Sequence, residues 1–319
     1  MATELSMKML TKSPLLCWHT RPLFVGTCDV AMPRLLCAVD PEGRSLLTRT
    51  YGHVATPSFP TVALLASVAA YAEATGTGSL RRVSCDDGFQ IAFRRSAGGV
   101  RWVLATAGDT DETRVDAMLM MCERIAEGVC GRDALNCDAG ERRGGAQRMK
   151  MALGACVAAI DRAMDTRAPP SFAPFGIHVM NRTKTETETE RDDDDVSART
   201  FVEGLASALP TVDRVAMVAT TSGTGIGGDV EILASTDGWR SSMCGADGLV
   251  AHAVLASVPP GPDARDVPVY VDDGTTPARL LTVSVGKGRE AAAIAAGPEP
   301  TLTVFRAAVK LTTSKLSYH

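Results

Sequence analysis

The chain has 319 residues, with 33 Lys and Arg against 37 Asp and Glu, which gives a formal net charge of −4. At about 150 residues per domain, this length predicts about two domains. With 45% hydrophobic and 22% charged residues, the composition is that of a globular protein and excludes disorder or a fibrous repeat as a description of the whole chain. Nucleic-acid binding is not expected either, because it requires a basic excess or a basic stripe.

A first domain is predicted over residues 32–166, after an unassigned N-terminal extension at 1–31. Two strand-like runs flank the turn Asp40–Gly43, which predicts a hairpin, and a largely apolar helix follows from Thr61 to a capping Gly76. Three more strand-like runs and two amphipathic helices come next, at 81–85, 89–94, 100–107, 112–129 and 147–164. We expect an α+β domain with a five-stranded antiparallel sheet sandwiched by helices, one on one face and two on the other. This is the longin-type arrangement.

Residues 167–200 differ in composition from both flanking regions. The run NRTKTETETERDDDD contains no apolar periodicity and ends in four consecutive aspartates. Runs of like charge usually stay solvated, so this segment is predicted to be an acidic linker or surface loop.

A second domain is predicted over 201–310, with a tail at 311–319. Its elements are a helix ending at Pro210, two strands, a helix, three strands and the start of another helix. This order repeats that of the first domain, which predicts tandem longin-type domains. Because the chain ends within what should be the first closing helix, the second domain is expected to be incomplete at its C-terminus.

The sequence offers little that could support catalysis. Gly223–Gly228 fits the pattern G-x-G-x-x-G, but the alternating run DVEILA follows it instead of a helix, so a hairpin loop is the better interpretation. His252 lies on an apolar helix, and Cys122, Cys130 and Cys156 lie on or beside apolar helix faces, where a thiol behaves as a small hydrophobe. We therefore predict no catalytic residue, no cofactor and no metal site. A small-molecule or nucleotide-binding enzyme using the glycine loop remains a distant alternative.

No segment predicts membrane insertion or secretion. The longest apolar stretch, Val62–Tyr71, has about ten residues, whereas a spanning helix needs about 20. The sequence therefore predicts a cytoplasmic protein with at most indirect membrane association.

The most specific motifs lie between Ser235 and Leu302. They read DGW, PPG, ARDVPVY, RLLT and GPEP, and together they resemble motifs of the Fuzzy family of planar cell polarity and ciliogenesis effectors. Proline at a helix end or edge strand and large aromatic anchors are usually structural, so these residues are expected to support the fold. The matching residues are Gly238, Trp239, Pro259, Pro260, Arg265, Asp266, Pro268, Tyr270, Arg279, Gly297 and Pro298.

This resemblance implies a non-enzymatic longin-domain subunit of the ciliogenesis and planar polarity effector complex. It implies an Inturned-like longin/PDZ partner, a WD-repeat planar polarity effector, and a Rab-family small GTPase that the complex recruits or activates. Guanine-nucleotide exchange would belong only to the heteromeric complex, and the place of action would be the basal body of the cilium, in support of cilium assembly, intraflagellar transport and vesicle-mediated transport. The alternative within the same class is a subunit of a lysosomal or organelle Rab exchange complex.

Overall fold

A computed structural model describes most of the chain. The described residues form two compact units, the first within residues 1–123 and 133–155 and the second within residues 124–132 and 156–319. The described residues are 34–52, 57–75, 79–85, 89–107, 110–136, 145–165, 188–221, 229–243, 250–251, 253–255, 264–272, 274–286 and 288–316. The proposed extension at 1–31 lies outside them, as do Gly76, the glycine loop, His252, Pro259 and Pro260.

The first unit contains a five-stranded antiparallel sheet in the order β2-β1-β5-β4-β3. The six residues of the central strand β1 are all buried. The predicted turn is present, since the Asp40 carboxylate accepts hydrogen bonds from the backbone N–H groups of Glu42 and Arg44 at 3.0 and 2.8 Å. The strands are β1 Arg34–Val39, β2 Ser45–Tyr51, β3 Arg82–Ser84, β4 Phe89–Arg95 and β5 Arg101–Ala107.

Helices cover both faces of this sheet. Helix α1 (Phe59–Ala74) buries Val62, Leu65 and Ala69 against the face that carries Cys37 and Val103. Helix α2 (Glu112–Cys130) lies on the opposite face, where Arg94 of β4 pairs with Glu123. Helix α3 (Gly145–Asp165) buries residues at steps of three and four: Met149, Leu153, Cys156, Ile160 and Met164. Its amphipathic character is as predicted, but of the residues predicted on its apolar side, Met151 is exposed and Val157 is half-buried.

The second unit repeats the strand connection of the first. Its antiparallel order is β7-β6-β10-β9-β8, so in both sheets the first strand lies between the second and the last. The predicted α+β class with two five-stranded antiparallel sheets is thus confirmed. The strands are β6 Arg214–Thr221, β7 Asp229–Ser235, β8 Ala264–Val271, β9 Thr276–Gly286 and β10 Arg289–Ala295.

This second sheet also carries helices on both faces. On one face, α4 (Glu188–Ala208) and α7 (Leu302–Leu316) bury Phe201, Leu205 and Phe305. On the other lie α5 (Asp237–Met243) and a helical segment, α6, described at residues 250–251 and 253–255. Helices α4 and α7 thus cover the same face although they stand at opposite ends of the unit's sequence.

Helix α5 was not predicted as a helix, and two predicted helices extend well beyond their predicted bounds. Helix α4 begins at Glu188, so residues 188–200, expected to be linker, are helical, while the rest of the predicted linker up to 187 lies outside the described residues. Helix α7 continues to Leu316 through the predicted tail, and Thr312 is buried within it.

Candidate functional site

Three separate motif elements of the second unit meet at a single arginine. Arg279 of β9 donates to both carboxylate oxygens of Asp266 on β8, with Nε to Oδ1 at 3.0 Å, and Nη1 donates to the Pro298 carbonyl oxygen at 3.1 Å. The hydrogen bond to Asp266 raises the pKa of Arg279, and attraction to Glu299 acts in the same direction. This guanidinium therefore ties the edge strand β8 and the turn before α7 to β9 (hereafter the Arg279 clamp).

A second polar group joins the three strands β8, β9 and β10 on the opposite face of the sheet. Arg265 of β8 donates from Nε to Thr282 Oγ1 at 3.1 Å, and its Nη2 donates to Glu290 of β10, 2.5 Å from Oε1. Glu290 and Thr282 are buried. Because strand residues alternate between faces, the neighbours Arg265 and Asp266 serve opposite sides of the sheet.

The motifs quoted from the sequence contain Arg265 and its partner Thr282, but not its partner Glu290. Glu290 is the only carboxylate in the otherwise mostly apolar strand REAAAIA. A carboxylate at the start of a buried strand segment indicates an ion pair, since an unpaired buried charge is costly. The sequence therefore indicated that Glu290 has a partner. It could not show which strand supplies the partner, because that depends on how the strands pair.

The DGW motif forms the start of α5. Trp239 is buried, and its backbone N–H donates to Thr236 Oγ1 at 3.4 Å. Thr236 in turn accepts from the Val215 N–H at 3.1 Å, which joins the helix start to β6. A methyl group on Gly238 would overlap the backbone carbonyl of Asp213, so only glycine fits there without displacement.

Tyr270 and Pro268 occupy the edge strand β8. Pro268 is exposed and lies opposite Arg279 in the register, consistent with the edge position expected of a strand proline. The Tyr270 ring lies against Gly131, where a Cβ atom would come 2.8 Å from Cζ. Gly131 has φ +81 and ends α2 with its N–H donating to the Glu127 carbonyl at 2.8 Å.

The described motif residues therefore fall into contacts within their own unit. Asp266, Arg279 and Pro298 come together, while Arg265, Trp239 and Tyr270 lie at separate positions. Gly297 precedes the Pro298 carbonyl, and Pro259 and Pro260 lie outside the described residues. The arrangement ties strands and turns together.

The other residues weighed for chemistry are distributed as follows. Cys122 and Cys156 are buried, and Cys130 is half-buried. Cys37, on the central strand β1, is also buried, and this raises the pKa of its thiol to about 12, although a hydrogen bond with Thr48 acts in the opposite direction. The strands on either side of the glycine loop pair directly, with Thr221 opposite Asp229, so a strand follows the loop as predicted.

Comparison with known proteins adds no family assignment. No protein-family model matches the chain, and no curated protein matches it. Within the described residues, no helix combines the length and the apolar character that crossing a bilayer requires.

Proposed function

We propose that this chain is a non-enzymatic subunit of a ciliogenesis and planar polarity effector complex, built from longin-type domains. The observation that carries the proposal is the Arg279 clamp. Three motif elements quoted from the sequence, ARD, RLLT and GP, are separated along the chain yet meet through Asp266, Arg279 and the Pro298 carbonyl. Motif residues that are hydrogen-bonded to one another support a family proposal better than the same residues at unconnected surface positions.

The repeated topology supports the same proposal. Both sheets connect their strands in the same order, and each follows the element order that we matched to the longin arrangement. The proposal includes the longin identity of both units. A protein of this kind acts through surfaces shared between subunits, so its motif residues need only maintain the fold.

The proposed partners follow from the resemblance. They are an Inturned-like longin/PDZ protein, a WD-repeat planar polarity effector and a Rab-family GTPase. Within such an assembly the chain would supply half of an exchange platform at the basal body and support cilium assembly, intraflagellar transport and vesicle traffic. Nucleotide exchange on the GTPase would belong to the assembled complex.

Co-purification tests this assignment directly. The full chain is expressed with the Inturned-like protein, and the mixture is fractionated by size with mass determination. A stable complex of defined stoichiometry is expected, whereas a chain that stays monomeric at micromolar concentration would overturn the proposal. A parallel mixture with subunits of a lysosomal Rab exchange complex distinguishes the alternative in the same class.

Nucleotide exchange supplies a second readout. The Rab-family GTPase is loaded with fluorescent GDP, and release is followed with the chain alone, the partner alone and both together. Acceleration is expected only for the combination. Saturable binding of NAD or ATP to the chain alone, lost in Gly225→Val, would instead favour the enzyme alternative.

A further inference from the structure

The first unit contains a cleft with an unusual concentration of arginines. The cleft has a volume of about 270 Å³, and four arginines line it: Arg81, Arg94, Arg95 and Arg101. Glu73 and Asp116 also contribute to its wall. We call this feature the arginine cleft.

The nearby carboxylates do not match these four guanidinium groups one to one. Arg94 pairs with Glu123. Arg95 and Arg101 share a single oxygen of Glu73, at 3.2 and 2.9 Å. Asp116 lies 3.5 Å from Arg82. In the part of the chain that the structure describes, the exposed Arg81 side chain makes no ion pair or hydrogen bond, so two of the four lining arginines lack a carboxylate of their own.

The sharing of Glu73 matters because Arg101 is buried. Only 7% of the Arg101 side chain is exposed, and Nη1 donates to the Ala66 carbonyl at 3.3 Å. Arginine keeps its charge in proteins, so a buried guanidinium must be neutralised by nearby anions. Because Glu73 is shared with Arg95, it neutralises the Arg101 charge only in part. A second anion in the cleft would complete the neutralisation.

The strand edge beside the cleft provides a further polar wall. The Phe93 N–H donates to the Arg81 carbonyl at 2.8 Å, and the pairing of β3 with β4 extends only from Ser84 to Arg82. The backbone N–H and C=O groups of successive residues in a strand point alternately to its two edges. Those of Arg95 therefore point to the same edge of β4 as those of Phe93, at a position beyond the end of β3. An entering anion would therefore meet a strand edge as well as guanidinium groups.

We propose that the arginine cleft binds the phosphate group of a small, soluble phosphate monoester. A phosphate offers two negative charges and oxygens in several directions, which suits guanidinium groups approaching from different strands. The volume lies just below the roughly 300–1,000 Å³ range of sites for drug-sized ligands, so the ligand is small. This site is separate from the proposed assembly role and uses none of the motif residues.

Calorimetric titration of the purified full chain with glycerol 3-phosphate and with inorganic phosphate tests this proposal. Ionic strength is held constant with sodium chloride, and glycerol serves as the uncharged control ligand. Saturable binding of both phosphates is expected. Arg81→Gln should raise the Kd about tenfold or more, the usual effect of losing a charged hydrogen bond. Arg199→Gln, an exposed arginine of α4 in the second unit, should leave the Kd unchanged.

The variant Glu73→Gln should change the Kd for phosphate in the opposite direction. Removing the anion that Arg95 and Arg101 share should lower the Kd severalfold, whereas a purely structural ion pair would show no tighter binding. The proposal is overturned if the wild-type chain shows no saturable phosphate binding, if Arg81→Gln and Arg199→Gln behave alike, or if Glu73→Gln does not bind more tightly. Sedimentation with vesicles containing phosphatidic acid, without binding of glycerol 3-phosphate, would likewise overturn it in favour of a lipid headgroup.

Discussion

Arg265 on β8 reaches across β9 to pair with Glu290 on β10, so one ion pair joins strands that are not neighbours in the sheet. Thr282 of the intervening strand accepts a hydrogen bond from the same guanidinium. The side chains of Arg265 and Glu290 are only 16% and 8% exposed. Removing either charge therefore leaves the other largely out of water.

The first prediction is a strong coupling between these two residues. Glu290→Leu should destabilise the protein by about 3 kcal/mol because it leaves the Arg265 charge buried without its partner. The double variant Arg265→Met with Glu290→Leu should be much closer to wild type, since no unpaired charge remains. Urea unfolding of wild type, the two single variants and the double variant measures this, and additive losses would contradict the coupling.

The second prediction concerns the Arg279 clamp. Arg279→Lys should behave like Arg279→Ala and lose about 1 kcal/mol, because an ammonium group cannot reach both Asp266 oxygens and the Pro298 carbonyl at once. Both groups are partly exposed, so raising the salt concentration should reduce the loss. Thermal unfolding at low and high salt provides the measurement, and full stability in Arg279→Lys would show that charge alone suffices.

These two polar groups also show where sequence reasoning succeeded and where it stopped. Periodicity located the ten strands of the described residues because alternating apolar residues such as Leu35, Cys37 and Val39 face one side of a sheet. It placed the start of β8 at Val267, whereas the strand begins at Ala264. The added residues Arg265 and Asp266 are polar, and each is satisfied by a partner on a neighbouring strand, which a one-dimensional pattern does not contain.

The same limit applies to the arginine cleft. Arg81 and Arg95 are distant along the chain, and each stands in an Arg-Arg pair that looks like an ordinary solvated surface. They line one cleft only because β3 ends early beside β4. That ending depends on strand pairing, so the charge pattern alone gave no reason to expect a site.

The third prediction contrasts two glycines. Gly154 lies in α3, and no neighbouring atom comes within 4 Å of the place that an alanine methyl group would take. Gly154→Ala should therefore stabilise the protein by about 0.5–1 kcal/mol by reducing the freedom of the unfolded chain. Gly238→Ala should destabilise it by about 1–3 kcal/mol, because the new methyl group meets the Asp213 backbone. Chemical denaturation of both variants checks this, and a loss of stability in Gly154→Ala would contradict the open surroundings of that position.

The fourth prediction is an alkaline loss of stability caused by Cys37. Burial raises the pKa of this thiol from 9.0 to about 12. Below the lower value the thiol is protonated in both states and contributes no pH dependence. Above it, the unfolded chain releases the proton and the folded chain keeps it, so unfolding becomes easier by about 1.4 kcal/mol per pH unit until the folded thiol also ionises.

Comparison with Cys37→Ala isolates this effect, because the other titrating groups are common to both proteins. The variant loses some packing at every pH, so wild type should be the more stable protein at about pH 8, and its advantage should shrink by roughly 1.4 kcal/mol by about pH 10. Urea unfolding under reducing conditions at the two pH values gives the difference directly. A constant difference between the two proteins would mean that the Cys37 thiol ionises equally in the folded and unfolded states, contrary to its burial on β1.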